Sequence, residues 1–106
     1  MPKYLVIANY TPDGMQGVLD KGGSSRRDAL EAACAGVGGS LDSFYFAFGA
    51  DDVFVTVDAP DNTAVAALCA RVSATGLAAT RTIVLLTPEE IDAAAKLGVN
   101  YRPPGS

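Results

Sequence analysis

The chain alternates short runs of β-branched and aromatic residues with stretches in which apolar residues return every three or four positions. Lys3 to Tyr10 is rich in strand formers and ends at Thr11-Pro12-Asp13, where Thr can cap and Pro can open a short helical segment towards Lys21. Gly22-Gly23-Ser24-Ser25 resets the backbone, and Ser25 with Asp28 has the spacing of a capping box. Leu30, Ala33, Cys34 and Val37 recur at helical spacing, which predicts a helix from about Ser25 to Val37, stopped by Gly38-Gly39. Leu41 to Phe48 and Val53 to Ala59 read as strands joined by the turn Gly49 to Asp52, an antiparallel hairpin. Pro60-Asp61 opens a helix that ends near Gly76, and Thr80 to Leu86 is a further strand. Thr87-Pro88-Glu89-Glu90 combines a capping Thr, a Pro at the first helical position and a Glu able to reach back, and this last helix runs to Gly98. The tail from Tyr101 to Ser106 reads as extended.

The order β-α-β-β-α-β followed by one more helix is that of an α+β, ferredoxin-like arrangement around a four-stranded antiparallel sheet. Right-handed crossovers place both main helices on one face and leave the other bare. Strand side chains alternate between the faces. Tyr4, Val6, Ala8, Phe44, Phe46, Phe48, Val53, Val55, Val57, Val84 and Leu86 form an apolar set suited to the helix-covered core. The opposite set contains Leu5, Ile7, Asn9, Tyr45, Ala47, Phe54, Thr56, Asp58, Arg81, Ile83 and Leu85, apolar in the middle with a polar group on each strand. Apolar patches of that size usually mark partner or ligand sites. A second copy packed face to face would bury them and leave a pocket for a small molecule lined by Asn9, Tyr45, Thr56, Asp58 and Arg81.

A length of 106 residues fits one domain spanning residues 1–106. Eight basic residues are scattered against twelve acidic ones, a net charge of −4, which argues against nucleic acid as a partner. No apolar run approaches the length that crosses a bilayer, and Met1-Pro2-Lys3 leads into the first strand without a signal-peptide pattern. The expectation is a cytoplasmic protein without a membrane partner. Cys34 and Cys69 fall on the apolar stripes of predicted helices, where buried free thiols are expected.

With no histidine in the chain, Ser-His-Asp and Cys-His catalysis and every His-containing metal site are excluded. Asp58 could serve as a general base if desolvation raised its pKa, or stand as a solvated strand-end carboxylate. Arg81 could orient an anionic group, but pairing with Asp58 or Asp42 is the simpler reading. Gly22-Gly23-Ser24-Ser25 before Arg26-Arg27 hints at a nearby anion without being a Walker loop. Carboxylates at 51, 52, 58 and 61 lack the spacing of a metal loop, so neither a metal nor a cofactor is expected. Phe44 to Phe48 superficially looks like an RNA-stacking strand but has no basic flank.

Five segments together resemble the GYD domain family: Asn9-Tyr10-Thr11-Pro12-Asp13-Gly14, Gly22-Gly23-Ser24-Ser25-Arg26-Arg27, Phe46-Ala47-Phe48-Gly49 through Asp52, Leu85-Leu86-Thr87-Pro88-Glu89-Glu90 and Tyr101-Arg102-Pro103-Pro104. The resemblance covers nearly the full length. It implies a dimeric α+β barrel and carries no established activity. The hairpin motif that supplies the family name stands here as Gly49-Ala50-Asp51-Asp52, with Asp51 at the tyrosine position. Gly and Asp serve such turns without further function, whereas a site reading needs Asp52 or its neighbour to meet a ligand at the barrel rim. The reading that follows is a homo-oligomeric small-molecule-binding protein with its pocket on the open sheet face. The alternatives are a cofactor-independent enzyme resembling small monooxygenases or isomerases, and a non-catalytic assembly or regulatory module in which the tail forms an arm over the neighbouring subunit.

Overall fold

The computed structural model describes residues 1–106. Eight elements follow one another: β1 (Lys3–Tyr10), α1 (Pro12–Lys21), α2 (Gly23–Gly36), β2 (Ser40–Phe46), β3 (Val53–Asp58), α3 (Asn62–Ala74), β4 (Ala78–Leu85) and α4 (Pro88–Ala95). The strands form one antiparallel sheet in the order β2-β3-β1-β4, the ferredoxin-like topology that the element order implied.

Each helix start has a local cause. Thr11 accepts from Gly14 N–H and Pro12 follows it, so α1 begins where its missing donor costs nothing. Asp61 caps α3 through Ala64 N–H. Thr87 and Glu90 form the reciprocal capping box that opens α4. The start of α2 differs from the expectation. It begins at Gly23, Ser25 lies inside the helix, and Asp28 pairs with Arg27 instead of closing a box. The cause is Gly22, whose φ of 88° ends α1 by donating to Val18 and starts α2 with no side-chain cap.

The core lies between the sheet and the helices. Tyr4, Val6, Val53, Val55 and Val57 project from β1 and β3 onto Cys34 of α2 and Val65 and Leu68 of α3. The Tyr4 hydroxyl donates to Asn62 at 2.7 Å, which satisfies its one polar atom beside the core. Both cysteines are free thiols, Cys34 buried and Cys69 half-buried. Burial, with Cys69 and Glu31 nearby, pushes the Cys34 thiol up and away from reactivity.

Four members of the expected core set are exposed. Phe48 lies beyond the end of β2 and is fully exposed, and Phe46 is partly exposed where its ring meets Gly23. Val84 and Leu86 are also exposed: Val84 stands on edge strand β4 where only the start of α3 flanks it, and Leu86 lies past the end of the strand. Instead α4 and the tail leave the body, and every residue from Leu86 to Ser106 is exposed. The consequence is an elongated chain, 56 Å in its longest dimension with a radius of gyration of 16.9 Å. A compact domain of this length has about 13 Å.

Candidate functional site

The sheet face opposite the helices is ordered in cross-strand rows. Paired residues on antiparallel strands share a face. Near the hairpin, Tyr45, Phe54, Ile7 and Arg81 stand side by side across all four strands. The next row is Ser43, Thr56, Leu5 and Ile83, and beyond it Asp58, Lys3 and Leu85. Ile7 is buried at 4% exposure by its flanking neighbours, whereas Tyr45 is 71% exposed and Ile83 43%. The face is therefore apolar across all four strands, and a single chain leaves it open at its edge strands β2 and β4.

Polar groups gather at its two ends. At the hairpin end the Asp51 carboxylate accepts from the Asn9 amide at 2.8 Å and from the Arg81 guanidinium at 3.0 Å. The Asn9 bond, aided by Arg81, holds the Asp51 carboxyl below the ordinary carboxylate range against the opposing pull of its partial desolvation. At the far end Lys3 Nζ lies 3.0 Å from Asp58 and 3.1 Å from Asp42. Thr56 donates to Asp42 at 3.0 Å and shares a 2.5 Å hydroxyl contact with Ser43. The Lys3 and Thr56 bonds lower the Asp42 carboxyl, while Asp58 and then Asp42 raise the Lys3 ammonium.

The five sequence-derived candidates thus fall into three places. Asn9 and Arg81 are joined through Asp51, Thr56 and Asp58 belong to the Lys3 cluster, and Tyr45 joins neither. Arg81 is ion-paired as expected, but its partner is Asp51 and not Asp58 or Asp42. A β-bulge between Leu41 and Ser43 delivers Asp42 to Lys3 instead.

The hairpin tetrapeptide is more than a turn. Asp52 N–H donates to Ala8 at 3.1 Å, its carbonyl accepts from Ala47 at 2.8 Å, and its carboxylate accepts from Tyr10 N–H at 2.9 Å. Gly49 leaves open space where a side chain would stand, and the side-chain hydrogen bonds of the loop are made by Asp51 and Asp52. Together the two aspartates tie the hairpin to the end of β1 and to β4.

The sequence reading missed a second feature, on the helix side of the sheet. A cavity of about 420 Å³ opens between α1, α2 and α3 over a floor of Val6, Val53 and Val55. Its walls include Gly17, Ala33 and Leu68, and Lys21, Arg26 and Arg71 also line it. The small residues on the inner faces of the helices were the available signal, since glycine and alanine leave space between elements that larger side chains would fill.

No helix is long and apolar enough to cross a membrane. No curated protein and no solved structure matched the chain. The model of the GYD domain matches residues 4–95, from the first strand through the last helix, and includes the Asp51-Asp52 hairpin. With most of its length so matched, the chain belongs to the GYD domain family.

Proposed function

We propose that the protein is a homo-oligomeric small-molecule-binding protein in which a second copy covers the open sheet face. The observation that carries this is the arrangement of that face: apolar side chains on all four strands, exposed at Tyr45 and Ile83 on the two edge strands, between ionic clusters already paired within the chain. A face built this way can be covered without burying an unpaired charge.

Magnitudes support a role for α4 as well. Four strands about 4.8 Å apart and about seven residues long give a face of roughly 500 Å². A stable interface needs about 800 Å² per partner. The projecting arm, with Ile91, Leu97, Val99 and Tyr101 all exposed, is a source of the remainder if it lies across the neighbouring subunit.

The ligand, in this reading, is a small organic molecule between the facing sheets. Asn9, Tyr45, Thr56, Asp58 and Arg81 are the side chains offered to it. Arg81 uses one of its five N–H groups on Asp51 and keeps the others for an anionic or carbonyl oxygen. Native mass spectrometry of the freshly purified protein tests this. A dimer carrying a small-molecule mass that Arg81→Ala loses while staying dimeric is expected; a bare monomer would overturn it.

A further inference from the structure

We propose that the helix-side cavity is a binding site for an organic anion with an apolar body, such as a carboxylate on an alkyl chain or an aromatic ring. The site lies on the side of the sheet opposite the proposed interface and exists within a single chain, so it does not depend on dimerisation.

Three observations converge on it. The first is size and lining: about 420 Å³ falls within the range of small-molecule sites, and most lining residues are apolar. The second is charge. Acidic residues outnumber basic ones twelve to eight in the chain, yet no aspartate or glutamate lines the cavity, while Lys21, Arg26 and Arg71 do. None of these three cations forms an ion pair, whereas Lys3, Arg27 and Arg81 all do. Cations drawn from three separate helices and left without carboxylates provide charge-assisted donors for an anion, and guanidinium groups match a carboxylate in particular.

The third is the first turn of α2, at the same opening. It has no side-chain cap and no acidic residue, and both Ser25 and Arg26 line the cavity. Its unsatisfied N–H groups add to the positive potential there. The apolar floor and walls are suited to the body of the ligand, and the cationic helix ends to its head. Cys69 also borders the cavity but is half-buried against Thr82, so no covalent step is assigned to it.

Isothermal titration calorimetry with decanoate and, separately, 1-naphthoate tests the proposal and distinguishes a chain from a ring. Decyltrimethylammonium serves as the control with a similar tail and the opposite head charge. One equivalent of at least one carboxylate is expected to bind per chain, with the ammonium binding at least about tenfold more weakly. Arg26→Gln combined with Arg71→Gln should weaken carboxylate binding roughly tenfold, since charged hydrogen bonds are the strong ones. Ala33→Trp should abolish it by filling the cavity, and Ile83→Glu on the other face should leave it unchanged. Should Ala33→Trp fail to fold, Arg26→Glu with Arg71→Glu, both exposed, replaces it. Failure of both carboxylates to bind, equal binding of the ammonium, or indifference to the arginine changes would each overturn the proposal.

Discussion

Asp51 and Arg81, 30 residues apart in the chain, meet at 3.0 Å at the hairpin end of the sheet, and the same carboxylate holds Asn9. One side chain of the loop thereby links the hairpin to β1 and to β4. Asp51→Ala is predicted to lower the melting temperature modestly, by less than truncation of a core residue, and to loosen the hairpin. Amide hydrogen exchange at Ala47 and Asp52 should accelerate in the variant while exchange in α3 stays unchanged. Uniform acceleration across the chain would contradict a local role.

Tyr4 offers a two-step test of the core. Tyr4→Phe removes the hydroxyl that donates to Asn62 and should cost about 1 kcal/mol. Tyr4→Ala removes a ring that is 2% exposed and should cost about 3–5 kcal/mol. Chemical denaturation of the two variants measures both values.

Two glycines of α1 are predicted to behave oppositely. A Cβ at Gly14 would collide with the Leu77 carbonyl oxygen, so Gly14→Ala forces backbone apart and should destabilise by about 1–3 kcal/mol. A Cβ at Gly17 meets nothing, so Gly17→Ala should be neutral or stabilising by up to about 1 kcal/mol through helix propensity. Thermal melts of the pair, side by side, separate close approach from a general intolerance of change in α1.

Stability should depend on pH at both extremes. Asp42 and Asp51 hold protons more weakly in the folded chain than in the unfolded one. Their contribution is complete above about pH 4 and is lost as pH falls through their lowered values. Lys3 holds its proton more tightly when folded, so its contribution is complete below about pH 10 and is lost as pH rises through its raised value. Lys3 and Asp42 are solvent-accessible and Asp51 partly so, so both limbs should be shallow and salt-sensitive. Melting temperatures from pH 3 to 11, with Lys3→Met flattening the alkaline limb, provide the check.

The parts of the fold legible in the sequence were those governed by strict alternation or by caps. Tyr4, Val6 and Ala8 against Val53, Val55 and Val57 assign one face of β1 and β3, and Thr87 to Glu90 locates the last helix. What was not legible depended on breaks in that regularity. The bulge after Leu41 gave Asp42 to Lys3, and the reach of Asp51 from the hairpin gave Arg81 its partner. Val84 and Leu86 alternate correctly but stand on an edge strand and past its end, which no strand pattern encodes. The helix-side cavity depends on the spacing between three helices, a tertiary quantity that composition only hints at.

In the proposed homo-oligomer a second copy covers the open sheet face. Sedimentation equilibrium of the wild-type chain beside Ile83→Glu, a charge placed on an exposed apolar position of that face on edge strand β4, is the decisive measurement. Twice the chain mass is expected for the wild type at micromolar concentration and a single-chain mass for the variant, with circular dichroism unchanged. A wild type that sediments as a single chain, or a variant that remains dimeric, would contradict it.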